Sequence, residues 1–214
     1  MRGRDVVNLV STRATRCCGS RAQIVVTGSA LVLLLSACGG STSQVEYHMD
    51  YPSYASVSEM CRAASLVVVG ESVGAAVLPV NILATDQGDN PEENPALGTT
   101  SDPKGSLEIQ TVTSFQVGEV IQGDSVQVGD VVAVGQPGGL YEGVDYLADQ
   151  YSMRKGEAHL LFLQEFPGVP ASLLNPAQAG FALSPDGTVS PESASSLAGQ
   201  LAGQAASREL CRAK

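Results

Sequence analysis

The chain has 214 residues, 43% of them hydrophobic and 5% aromatic, with no tryptophan. It carries 12 lysines and arginines against 22 aspartates and glutamates, a formal net charge of −10. That length suits one domain, and the acidic balance argues against a nucleic-acid partner, because phosphate binding needs clustered Lys and Arg.

Arg2, Arg4, Arg13, Arg16 and Arg21 form a basic leader, followed by the mostly apolar run IVVTGSALVLLL over 24–35. A helix of that length spans about 18 Å, short of a hydrocarbon core of about 30 Å. The run therefore reads as an export signal rather than a permanent membrane helix. It ends in Leu35-Ser36-Ala37-Cys38, which resembles the lipobox of bacterial lipoproteins, Leu-(Ala/Ser)-(Ala/Gly)-Cys. The resemblance implies acylation of the Cys38 thiol and removal of the leader 1–37. The product would be a protein held by its N-terminal lipid on the extracytoplasmic side of the cell membrane. The alternative is an ordinary secretory signal with a stray cysteine. Without 1–37 the chain keeps seven basic and 21 acidic residues, a net charge of −14 over 177 residues. An anionic membrane repels such a chain mildly, so the lipid rather than charge has to hold it.

The stretch 38–52 is small and polar and reads as a flexible tether reaching at most about 45–50 Å. Residues 53–214 are expected to form one domain. Cys17 and Cys18 leave with the leader and Cys38 takes the lipid, so Cys61 and Cys211 remain, each followed by Arg-Ala. An even pair in an oxidising compartment reads as a disulfide; the alternative is two buried thiols, since cysteine packs well as a small hydrophobe.

Ser56-Val57-Ser58-Glu59 has capping-box spacing, and Tyr54, Val57, Cys61 and Ala64 recur at helical spacing, so a short helix leads into Leu66. β signals follow: SLVVVGESV, VLPVNIL, SLEIQTVTSFQVGEVIQG, SVQVGDVVAVG, AHLLFLQEF and AGFALSPDGTVS, punctuated by Gly-Asp, Pro-Gly-Gly and Pro-Asp-Gly turns. Leu160 to Leu163 is apolar at every position, as a strand buried on both sides would be. The acidic, Pro- and Gly-rich stretch 84–105 reads as a solvated loop. Calcium on Asp86, Asp89, Glu92 and Glu93 is disfavoured there, since no D-x-[DN]-x-[DN]-G spacing exists. A second long loop is expected over 141–151, and a C-terminal helix over 191–212, with Ser190 as cap and Pro191 in the first turn.

Gly70-Glu71-Ser72-Val73-Gly74 spells G-x-S-x-G after a strand-like run, the way a serine hydrolase presents its nucleophile. The order Ser72, Asp145, His159 copies the hydrolase order. A nucleophile elbow needs a helix after the serine, however, and Pro79 with its β-branched neighbours opposes one. No βαβ alternation is present to build the sheet such an elbow needs. Ser72 is therefore expected within a strand, with Gly70 and Gly74 marking bulges or bends. After the leader only His48 and His159 remain. His159 is expected to face solvent or a backbone carbonyl, because no second histidine and no Cys-x-x-Cys completes a zinc site. No metal or other cofactor is expected.

Taken in order, CRAASLVVVG, FQVGEVIQG, VGDVVAV and GEAHLLFL resemble the netrin-like domain, shared with the tissue inhibitors of metalloproteinases and with bacterial surface proteins of the same look. The resemblance covers about 61–183 and implies a mainly β fold, an OB-type β-barrel of five to six strands. Where that family has lysine before the turn glycine, this chain has Gln122; where it has tyrosine in the later strand, it has His159. The inhibitors chelate protease zinc through the free amino group of an N-terminal cysteine that starts the domain. Here the candidate N-terminal cysteine carries lipid and Cys61 is internal, so inhibition does not carry over. The expectation is a lipid-anchored, non-catalytic binding or envelope-associated module that meets an envelope protein or an extracellular ligand. Its alternatives are a membrane-anchored serine hydrolase using Ser72 and an anchored protease inhibitor.

Overall fold

The computed structural model describes residues 43–82 and 107–212. The leader 1–37, Cys38 and the acidic stretch 84–105 with Asp86, Asp89, Glu92 and Glu93 lie outside the described residues. The fold is mainly β. In chain order come β1 (Ser43–Glu46), α1 (Val57–Ala63), β2 (Leu66–Asn81), β3 (Leu107–Gln122), β4 (Val131–Pro137), β5 (Gly139–Tyr141) and β6 (Val144–Leu147). They are followed by β7 (Ala158–Gln164), β8 (Ala171–Leu173), β9 (Gly180–Ala182) and α2 (Ala198–Leu201).

The runs SLVVVGESV and VLPVNIL belong to one strand, β2, whose many β-branched residues favour extended backbone. It pairs antiparallel with β3 from Val67–Gln122 to Asn81–Leu107. Its first part also pairs with β7, from Leu66–Leu163 to Glu71–Ala158. Since β3 pairs with β4, β4 with β8 and β8 with β7, the strands β2-β3-β4-β8-β7 close into a ring of five, and β9 adds to β7. A separate sheet has the order β1-β6-β5.

Directly opposed residues share a face, so the register sorts the core. Leu66 and Leu163, Val68 and Leu161, and Gly70 and His159 point into the ring, together with Phe115, Val117, Val132 and Val134. The outer faces of β2 and β7 carry Val67, Leu160 and Phe162. They share one buried cluster with Val57 and Met60 of α1 and with Leu197, Ala198 and Leu201 near the C-terminus. Leu160 to Leu163 are each 0% exposed because β7 is covered on both sides.

α1 begins where the capping box lies: Ser56 Oγ accepts from Glu59 N–H at 3.2 Å, and the Glu59 carboxylate accepts from Ala55 N–H at 2.8 Å. At its other end Gln122 Nε2 donates to the carbonyls of Cys61 and Ala64, both at 2.8 Å, supplying acceptors of the last turn with a partner. A disulfide joins Cys61 of α1 to Cys211 across 150 residues, with Cα atoms 5.4 Å apart. Closing a loop of that size stabilises by about 5 kcal/mol in the chain-entropy account.

Three segments differ from the sequence expectation. The tether 38–52 contains β1, which pairs parallel with β6. Tyr47 packs on Tyr146 at 5.7 Å, and its hydroxyl accepts from Ile109 N–H, so two aromatic rings give a polar segment something to bury. The stretch 141–151 holds most of a hairpin, β5 and β6, turning through Glu142 (φ 48°) and Gly143 (φ 80°), the positive-φ pair of a tight two-residue turn. The helix expected over 191–212 is the single turn α2. Gly199 and Gly203 (φ 73°) weaken a helix there. The backbone instead pairs back on 188–189 through Thr188–Ala205 and Val189–Ala202.

Beyond Ser72, β2 pairs only with β3 among the described residues. Ile109 gives its N–H to Tyr47 and its carbonyl to Gly138, away from β2. Since residues of an antiparallel strand alternate in which edge they address, Ala75, Val77 and Pro79 turn their backbone groups to the outer edge.

The register of β2 on β3 shifts at Val67/Val68, Val69/Gly70 and Ser72/Gly74, so both motif glycines sit at bulges. They are not equivalent. A Cβ on Gly70 would run into the Gln116 carbonyl and the Phe115 ring, whereas one on Gly74 meets nothing within 4 Å. Gly70→Ala is therefore expected to destabilise by about 2 kcal/mol or more, and Gly74→Ala to stay within about 0.5 kcal/mol of wild type. Urea unfolding of the two variants checks this contrast.

Candidate functional site

Ser72 lies in mid-strand, 3% exposed, with β2 running on to Asn81 and no helix starting at Val73. Its carbonyl accepts from Gly156 N–H at 3.0 Å, and it forms an isolated bridge with Lys155. Residues 154–157 thus continue the edge that β7 leaves. A serine nucleophile needs a base within hydrogen-bond reach. Among the described residues no hydrogen bond joins Ser72 Oγ to a histidine or lysine. Asp145 sits on β6 in the separate sheet. His48 lies between β1 and α1, 3.9 Å from Glu46 and largely exposed.

Of the two surroundings expected for His159, solvent is absent, while the backbone of Arg154 does reach it. His159 is 1% exposed and turned into the ring, opposite Gly70, not toward solvent. The cause is Tyr151, whose hydroxyl lies 2.9 Å from His159 Nδ1, the two rings packing edge to face at 5.5 Å. Burial first, and Glu157 second, push the Tyr151 hydroxyl well above the usual tyrosine range, so it stays protonated and shares a hydrogen bond with Nδ1. The other ring nitrogen, Nε2, is buried and has no hydrogen-bond partner among the described residues. Burial lowers the His159 pKa, against smaller opposing effects of Glu157 and the Arg154 backbone.

Tyr151 is held there by the Gln136 amide, which accepts from Tyr151 N–H at 2.6 Å and donates to its carbonyl at 3.0 Å. A neighbouring bond from Gln150 Nε2 to the Pro137 carbonyl, 2.6 Å, fixes the same stretch to β4. Gly180 is required beneath it, since a Cβ there would come within 2.5 Å of the Tyr151 ring. Ser72, Thr113, Gln136 and His159 are all buried. They make the interior of the ring polar toward the stretch that carries Tyr151.

Cys61 and Cys211 are brought together as a disulfide. No group of three or more His, Cys, Asp or Glu able to hold a metal ion occurs among the described residues. Tyr151 and Gln136 escaped the sequence reading, and Gln122 entered it only as a departure from the netrin-like pattern. Tyr151 lay in a stretch read as loop, and no local pattern marks which glutamine amide will dock on a backbone 15 residues away. No helix among the described residues is long and apolar enough to cross a membrane. No family model matches the chain, and neither a curated protein nor a solved structure matches it.

The buried neutral histidine makes stability depend on pH. Below about 6.5, the ordinary histidine value, the unfolded chain takes up a proton that folded His159 resists. Stability is therefore expected to fall as pH drops through that value toward the lowered folded pKa. Unfolding midpoints between pH 7.5 and pH 6, both approximate limits, should slope downward in wild type and flatten in His159→Gln; equal slopes would contradict the assignment.

Proposed function

We propose that the protein is a lipid-anchored, extracytoplasmic, non-catalytic binding or envelope-associated module, and that its five-strand ring is an OB-type barrel of the netrin-like kind. The carrying observation is the ordered succession of basic leader, apolar run and Leu35-Ser36-Ala37-Cys38. Supporting it, the Cys61–Cys211 disulfide suits an oxidising compartment outside the cytoplasm. The ring closed by β2 and β7 leaves fewer open strand edges and suits a rigid platform for recognition. A serine within a strand, with no hydrogen-bonded base among the described residues, supports binding over catalysis. The partners in this reading are the membrane, through the lipid, and an envelope protein or extracellular ligand.

Metabolic labelling with a fatty-acid analogue tests the anchor. The full chain should take up label and Cys38→Ala should not; label persisting in the variant would defeat the reading. A fluorophosphonate probe addresses catalysis on the same protein. Ser72 should stay unlabelled, and labelling that disappears in Ser72→Ala would make the protein a serine hydrolase instead.

A further inference from the structure

The disulfide end of the domain bears a groove of about 780 Å³, lined by Arg62, Arg212, Ser58, Ser207, Gln204 and the Cys61–Cys211 bridge among others. That volume falls within the range of small-ligand sites, about 300–1,000 Å³. Its charge runs against the rest of the molecule. Of the seven lysines and arginines after residue 37, set against 21 acidic residues, Arg62 and Arg212 line the groove, with Glu209 as the one acidic residue in its lining. A third, Arg208, is tied beside it through Nε to the Val120 carbonyl at 3.1 Å.

The acidic groups around the groove are largely occupied. Glu59 is turned away, accepting from Ala55 N–H. Glu209 is held by Arg212 at 2.7 Å with both side chains exposed, a pairing worth little in water and open to exchange for another anion. The C-terminal carbonyls of α1 would repel an anion here, but the Gln122 amide covers those of Cys61 and Ala64. Arg62 spends Nη1 on Ser58 Oγ at 3.2 Å, which steers the guanidinium and leaves its other donors available.

We propose that this groove binds a small oxyanion ligand, phosphate- or carboxylate-bearing, through the guanidinium groups of Arg62 and Arg212. The inference rests on reading the protein as a binding module and names the chemistry of what it binds. A guanidinium fork meets a planar or tetrahedral oxyanion with paired charge-assisted bonds. The disulfide beneath fixes α1 to the C-terminal turn, so both arginines are presented from a rigid base. Glu209 is the internal competitor that the ligand displaces from Arg212.

The full-length protein, purified in a non-ionic detergent, is titrated calorimetrically with inorganic pyrophosphate and separately with citrate, at low and high ionic strength. At least one should bind saturably, more weakly in salt. Affinity should drop by about tenfold or more in Arg62→Gln and in Arg212→Gln, and rise in Glu209→Gln. Preference for pyrophosphate assigns the natural ligand to phosphate chemistry, and preference for citrate to carboxylates. All three substitutions are on exposed or groove-lining side chains, and an unchanged melting temperature verifies the fold. Saturable binding by neither anion, or binding indifferent to both arginine substitutions, would overturn the proposal. Fatty-acid labelling of the same preparation separates the two readings. Labelled protein that ignores both anions removes the groove assignment alone, whereas unlabelled protein that binds them removes the anchor and leaves the groove.

Discussion

The fold depends on β2 finding partners along both edges at once. Val67 to Glu71 pairs with β7 on one side while the same residues pair with β3 on the other. The β7 pairing joins residues more than 85 positions apart, so its loop-closure cost has to be met by what the closure buries. The apolar run Leu160 to Leu163 meets that demand because both of its faces lose water at once. The bulges in β2 are the geometric counterpart, since a strand with unbroken register on β3 would not bend round to reach β7. Gly70 is the tightest point of that bend, its missing side chain giving room to Phe115.

Closing the ring creates an interior, and its polar content is organised from outside. Gln136 holds the backbone of Tyr151, Tyr151 holds His159, and Gly180 gives the tyrosine its place. Gln178 does for Tyr54 what Gln136 does for Tyr151, accepting from its N–H at 2.9 Å and donating to its carbonyl at 3.0 Å. A side-chain amide used this way replaces a short piece of strand pairing and fastens irregular chain to the core without lengthening a sheet. The disulfide acts at the opposite end of β2 and β3, where α1 meets the C-terminal turn.

Features encoded by neighbouring residues were legible in the sequence. The capping box, the apolar run of β7, the bulge glycines around Ser72 and the pairing of the two remaining cysteines all follow from local chemistry or from counting. What escaped depended on distant partners. The segment before α1 looked polar until Tyr47 met Tyr146, and 141–151 looked like loop until the turn at Glu142 and Gly143 paired β5 with β6. The C-terminal alanines and leucines have helical spacing, yet two glycines and the pairing of Val189 with Ala202 prevail over propensity. The partner that buries His159 was missed for the same reason. A lone histidine in an apolar run is read toward water unless the buried hydroxyl that meets it is known, and that hydroxyl comes from another segment.

The outer edge of β2 beyond Ser72 has a consequence for how copies of the protein meet at high concentration. A foreign strand laid along it finds backbone donors only at Ala75 and Val77, because the next outward-facing position is Pro79, which has none. Growth of a cross-β stack requires an uninterrupted row of such donors. Among the described residues Pro79 thus interrupts the outward row of donors, at a position where the native pairing with β3 loses no bond by it, and strand addition along this edge is disfavoured there.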